Sequence, residues 1–192
     1  MAGSVEGRAN CSASRRAPGA VTVLADWITE ELFTHGELHA DPHAGNFAAD
    51  DQGRLVIYDL GAVIPVPEPR LRAMMRLLDA TLAQDPMAMD EALLQLGGRQ
   101  GQGAPLALYR ESAEAVAPLF APGEQDFGDV RVHRRLRDLK PKVWAAMDRL
   151  QPPADTLLLS RTLNGHYWNL VRLGARLDMQ RRTRPLLAWA KG

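Results

Sequence analysis

The sequence predicts an α+β fold, mostly helical, with one small β-hairpin set on a helical body. Three observations predict it. Of the 192 residues, 46% are apolar and 24% charged, the balance of a globular chain with enough length for one real core. From Pro69 onward apolar residues recur at helical spacing almost to the end. Between these two features, Leu55, Val56, Ile57 and Tyr58 form a β-branched and aromatic run behind an Asp-Asp-Gln-Gly turn, which is the signature of a hairpin.

The elements follow in order. Residues 1–19 are rich in Gly, Ala, Ser and Arg and predict a disordered tail, leaving 20–192 as the folded unit. Val21, Leu24, Trp27, Ile28 and Leu32 predict an amphipathic helix over about 20–35, stopped by Gly36. Glu37 to Asn46 is a shaped loop, because Pro42 disfavours helical geometry at Asp41 and Gly45 permits a tight turn. Phe47 to Ala49 and Arg54 to Asp59 are the hairpin strands. Helices are then expected over about 71–82, 87–96, 106–120, 133–150 with a kink near Pro141, and 156–177. Pro185 is expected to begin a last short helix, and 122–129 reads as a loop. The four tryptophans, at 27, 144, 168 and 189, lie in helical patterns and are expected in the core.

Composition excludes several classes. The formal charge is zero, so nothing global draws the chain to nucleic acid, and none is expected as a partner. Cys11 is the single cysteine, so no internal disulfide forms, which fits a reducing, cytoplasmic setting. No apolar run approaches the roughly 20 residues of a membrane-spanning helix, and the N-terminus does not read as a secretory signal. Arg131, Arg134, Arg135, Arg137, Lys140 and Lys142 form a local basic cluster. A solvated helix face is the commoner outcome for such a run; peripheral contact with a membrane or lipid is the alternative.

The densest chemistry is His-Ala-Asp-Pro-His-Ala-Gly-Asn, 39–46, followed by Tyr-Asp-Leu-Gly, 58–61. Asp41 and Asn46 share one loop, and Asp59 ends a strand that runs back toward it. An amide and a carboxylate are hard oxygen donors that suit Mg²⁺, leaving the Asp41 carboxylate to orient an attacking hydroxyl. Phosphoryl-transfer enzymes divide the work in that way: an Asp for the nucleophile, an Asn five residues on for one metal, and a later Asp-x-Gly for metal against the phosphates. As plain loop structure, Asp and Asn are simply good turn formers. A third reading takes His39 and His43 as zinc ligands of a hydrolase.

These two motifs resemble the ABC1/UbiB/AarF family of atypical kinases, whose members read close to a histidine-alanine-aspartate-proline-histidine-proline-glycine-asparagine loop and a later aspartate-phenylalanine-glycine. The resemblance extends over about 22–190, taking in Glu-Leu-Phe-Thr-His-Gly-Glu-Leu-His before the loop and the stretch from Arg161 to Leu177. It implies a protein-kinase-like C-lobe that uses Mg²⁺ and ATP. It further implies Asp41 as the catalytic aspartate and Asn46 and Asp59 as metal ligands. His39 then supports the loop, and His43 and Gly61 lie in the phosphate vicinity. Linked biology would be isoprenoid quinone biosynthesis or membrane lipid homeostasis. His43 stands where protein kinases carry a lysine, and an imidazole supports a transferring phosphate less well than an ammonium, which argues against ordinary protein phosphorylation.

A kinase also needs a nucleotide-binding N-lobe with a phosphate-pairing lysine. The first lysine here is Lys140, and the family's Lys-x-Gly-Gln segment is absent. The sequence therefore predicts a C-lobe alone: a truncated form, half of a split protein whose partner chain carries the other lobe, or an inert pseudokinase-like helical module that binds a partner.

Overall fold

The computed structural model describes residues 18–50, 52, 54–151 and 153–192. Of the predicted disordered tail, residues 1–17 lie outside the described residues; Pro18 and Gly19 belong to the first helix. Seven α-helices and three two-stranded antiparallel ladders make up the regular structure of the described residues, so the fold is α+β and mostly helical.

Helix α1 (Pro18–Glu30) widens into a π turn over Glu31–His35. Gly36 ends it at φ 67° and donates its N–H to the Glu31 carbonyl, a left-handed stop that a side chain would strain. Its apolar stripe supplies Val21 and Leu24 to one core with Phe127, Leu170, Ala175 and Leu177, and Leu32 to a second with Leu38, Val66, Leu71 and Leu159.

The chain then makes strand β1 (Glu37–His39), a loop, β2 (Phe47–Ala49), a turn, β3 (Leu55–Ile57), a second loop, and β4 (Val63–Pro65). The predicted hairpin is the β2–β3 pair, with Phe47 opposite Ile57. The expectation of a single hairpin is corrected by two further ladders. Strand β1 pairs with β4, His39 opposite Val63, and the predicted loop at 122–129 contains β5 (Gln125–Asp126), which pairs with β6 (Arg176–Leu177). Three-residue strands carry too little alternation to be read from sequence; their pairing is non-local.

Six helices complete the body. Helix α2 (Glu68–Leu82) packs on α3 (Pro86–Gln95), whose N-terminal amides at Met87 and Ala88 donate to the Asp85 carboxylate at 3.0 Å each. Helix α4 (Leu106–Val116), extended by a 3₁₀ turn to Phe120, packs on α5 (Val130–Ala145). Tyr109, Ala113, Leu139 and Ala146 lie in the third core. Helix α5 begins three residues before the expected start because Asp129 caps it, accepting from Arg131 N–H at 2.8 Å.

Helix α6 (Ala154–Arg172) is shorter than expected, since the chain turns at Gly174 (φ 66°) into β6. The last helix, α7 (Met179–Lys191), runs through Pro185 instead of starting there. Asp178 caps it, and Arg72 of α2 holds its C-terminal turn. Arg72 donates to the Trp189 carbonyl at 2.8 Å and lies 4.4 Å from the Trp189 ring centroid. Two tryptophans depart from the expected core. Trp144 is 74% exposed and Trp168 44%, while Trp27 and Trp189 are half-buried. No helix among the described residues is long and apolar enough to cross a membrane.

Candidate functional site

The two motif loops lie side by side because a ladder closes each end. At one end, beside β1·β4, Ala40 N–H donates to the Ala62 carbonyl at 2.6 Å; at the other, beside β2·β3, Tyr58 N–H donates to the Asn46 carbonyl at 3.0 Å. The backbone between these ties opens into an eye, with residues 41–45 on one rim and 59–61 on the other. Asp41, Asn46, Asp59 and Gly61 all sit on it.

On the first rim, Asn46 Nδ2–H donates to Asp41 Oδ2 at 2.8 Å and also approaches the Asp41 carbonyl at 3.4 Å. His43 N–H donates to Asp41 Oδ1 at 3.1 Å. The Asn46 amide first, and the His43 N–H second, hold the Asp41 carboxyl below its ordinary range, because both donate to the charged form. His43 is exposed and caps a single 3₁₀ turn, its Nδ1 accepting from Gly45 N–H at 3.1 Å. That bond requires a bare Nδ1.

On the second rim, Gly61 N–H donates to Asp59 Oδ1 at 2.7 Å. A Cβ on Gly61 would meet that same oxygen at 3.0 Å, so glycine lets the turn fold over its own carboxylate.

His39 ties the rims from beneath. It is 1% exposed and its Nε2–H donates to the Asp59 carbonyl at 2.5 Å. Its ring lies 5.9 Å from Trp27 and 5.5 Å from Phe47. His39 and His43 are thus separated, one buried and one in solvent, each with a ring nitrogen already engaged. Among the described residues no three His, Cys, Asp or Glu side chains are grouped to hold a metal ion, which leaves the zinc-hydrolase reading without a ligand set.

Sequence reasoning missed the support below the loop. His166 is 2% exposed and its Nε2–H donates to the His39 carbonyl at 3.2 Å. Burial, the largest effect, pushes its imidazole below the ordinary value. Asn169, one helical turn on, donates to the Pro42 carbonyl at 2.8 Å. The signal available was the spacing: Thr162, Gly165, His166 and Asn169 fall on one face of a helix.

The basic cluster on α5 is largely occupied by its neighbours. Arg131 pairs with Asp129, Arg137 with Asp138 and Lys142 with Glu111, and Arg135 reaches the Glu114 carbonyl.

Comparison with known proteins agrees with the motif. Residues 10–93 match the ABC1 atypical kinase-like domain, a span that contains both loops and all six predicted site residues. The chain is 34% identical over 70 residues to Activity of BC1 Complex Kinase 8, a chloroplastic protein of Arabidopsis thaliana, covering 35% of this chain and 9% of that one. It is 27% identical over 162 residues to Atypical kinase COQ8, mitochondrial, of Schizosaccharomyces pombe, covering 81% of this chain and 26% of that one. An uncharacterised Mycobacterium tuberculosis protein is 32% identical over 121 residues, 62% of this chain and 25% of its own length. The matches thus span about a quarter or less of each of these relatives. From residue 10 to residue 93, where the two loops face each other across the eye, this chain is similar to the ABC1 atypical kinase-like domain.

Proposed function

We propose that the eye is the metal-and-nucleophile half of a phosphoryl-transfer site of protein-kinase C-lobe type, working on Mg²⁺-ATP in transfer or hydrolysis. One observation carries this: the paired ladders set Asn46 and Tyr58 opposite each other, so Asp59 follows directly beside the amide that already holds Asp41. The donor set fits a hard cation. Because Asn46 donates to Asp41 through Nδ2, its Oδ1 is left as an acceptor, and Asp59 Oδ2 takes no hydrogen bond among the described residues. Asn46 Oδ1 and Asp59 Oδ2 would hold Mg²⁺, which keeps most of its shell as water and phosphate oxygens and so needs few protein ligands. Bound there, the ion neutralises charge on the phosphates.

The chain's own residues then do the rest. Asp41 stays ionised, because its two donors stabilise the carboxylate, and it orients an incoming hydroxyl or water by accepting its hydrogen bond. Low basicity suits orientation better than full proton removal. His39 fixes the spacing of the two rims through the Asp59 carbonyl. His43 and Gly61 lie at the mouth, where a phosphate would pass. A lysine for the remaining phosphates would come from a partner lobe or chain. Quinone-linked substrates and peripheral membrane contact, suggested by the resemblance, belong to this same proposal.

Thermal unfolding with Mg²⁺ and ATP, against EDTA, tests the reading. Ligand at 100 times its Kd stabilises by about 2.7 kcal/mol, a rise of roughly 5–10 °C for a chain of this size, and Asp59→Ala abolishes it. Cooperative unfolding without any rise in the wild type would refute nucleotide binding by this chain and favour the non-catalytic, partner-binding reading.

A further inference from the structure

We propose that one face of α6 is a positioning clamp for the Asp41 loop: Thr162, Gly165, His166 and Asn169 hold the backbone of residues 39–42 and so aim Asp41 and Asn46. What the loop is aimed at rests on the phosphoryl-transfer reading; the clamp itself rests on geometry.

Carbonyl accounting is the first argument. The loop is irregular, so its backbone acceptors need partners from elsewhere. Four successive carbonyls each receive a side-chain donor. His166 Nε2–H reaches His39 O at 3.2 Å and Thr162 Oγ1–H reaches Ala40 O at 3.4 Å. Asn46 Nδ2–H reaches Asp41 O at 3.4 Å, and Asn169 Nδ2–H reaches Pro42 O at 2.8 Å. Three of the four donors come from α6, more than a hundred residues along the chain, and they flank Asp41 on both sides.

The second argument comes from Gly165. It lies inside a helix of 19 residues, where glycine costs about 1 kcal/mol relative to alanine. An added Cβ would lie 2.2 Å from Pro42 Cγ and 2.7 Å from Pro42 Cβ. Glycine at this point lets the helix touch the proline that follows Asp41.

The third is the imidazole pair. Carbonyl acceptors require Nε2–H on both His39 and His166, which leaves both Nδ1 atoms as bare acceptors. Both are buried without a partner among the described residues, packed against Phe47 at 5.5 and 5.6 Å between ring centroids. An unsatisfied buried acceptor costs roughly 1–3 kcal/mol. An apolar residue would avoid that cost but could not donate to the loop. A helix glycine and two half-satisfied histidines at one contact are local penalties of the sort that accompany a functional constraint.

Hydrogen exchange by mass spectrometry on the full chain tests this without any ligand. Asn169→Asp keeps the shape and removes the donor. Gly165→Ala favours the helix and displaces Pro42. Leu170→Ala, a core variant one residue away on a different face, is the control. In the first two, exchange in 39–46 should rise about tenfold, the loss expected for one good hydrogen bond, while α2 and α4 keep their protection. In Gly165→Ala the α6 amides should slow as the loop quickens, a pair of opposite signs that plain destabilisation does not produce. Loop exchange unchanged in both variants, or rising only in step with the whole chain as in Leu170→Ala, would overturn the clamp. A second arm measures Mn²⁺ affinity, which should weaken about tenfold in Asn169→Asp if the loop holds metal. Wild type that binds no Mn²⁺ sinks the metal reading, and the exchange result still decides the clamp.

Discussion

The Asn46 Nδ2–H fixes Asp41, and its Oδ1 is the acceptor proposed for the metal. Asn46→Asp separates them. It keeps an oxygen for metal but loses the donor and sets a second negative charge against Asp41, so the Asp41 carboxyl should titrate higher, as carbon-detected NMR of the side-chain carboxyls would show. A titration unchanged from wild type would mean the 2.8 Å bond is not made in solution. The buried His166 imidazole makes stability depend on pH. His166 has its folded-state pKa pushed below the ordinary 6.5, so the unfolded chain takes up the proton first as pH falls. The stabilisation is complete above about pH 6.5 and is lost as pH drops toward the lower folded value. Urea unfolding at pH 7.5 and 5.0 should show that loss, and His166→Gln should reduce the slope between the two.

Aspartate caps begin three of the seven α-helices of the described residues. Asp85, Asp129 and Asp178 each accept amide N–H groups at the start of a helix, with ψ of 99°, 109° and 89°, outside the helical range. Asp85→Ala should cost about 1 kcal/mol, a fall of roughly 2–4 °C in Tm, with Mg²⁺-ATP binding unaffected because α3 does not contribute to the eye. Asp129 differs in its pH signature. Arg131, by its side chain first and its backbone second, holds the Asp129 carboxyl at about 2. Its contribution is therefore present above the ordinary 3.8 and is lost only as pH falls through about 2. Acid titration of α5 helicity should follow that low value in wild type, and Asp129→Asn should lose the dependence.

Across the molecule, three small cores are connected by long-range contacts instead of one large one. Leu38, fully buried between the two motif strands and α2 and α6, joins the eye to the body. Leu38→Ala should cost about 2–5 kcal/mol, and circular dichroism melts should show a drop several times that of Asp85→Ala. The α2–α7 seam rests on Arg72, over Trp189 and bonded to its carbonyl. Arg72→Lys cannot reproduce both the stacked guanidinium and its carbonyl bond, so α7 should fray first in hydrogen exchange.

Residue order alone determined the chemistry-bearing loop, the hairpin, the helix count after Pro69 and the position of the glycine stop at Gly36, because each depends on neighbours within a few residues. The starts of α3 and α5, capped by Asp85 and Asp129, were legible to within a turn, whereas the start of α7 was missed by more than a turn because the helix runs through Pro185. Tertiary structure decided the rest. It paired β1 with β4, closing the eye at its second end, and it placed Trp144 outside the core. It also brought α6 beneath Asp41. Those outcomes depend on contacts between residues far apart in the chain, and short-range pattern carries no information about which distant helix face will supply a donor to a given carbonyl.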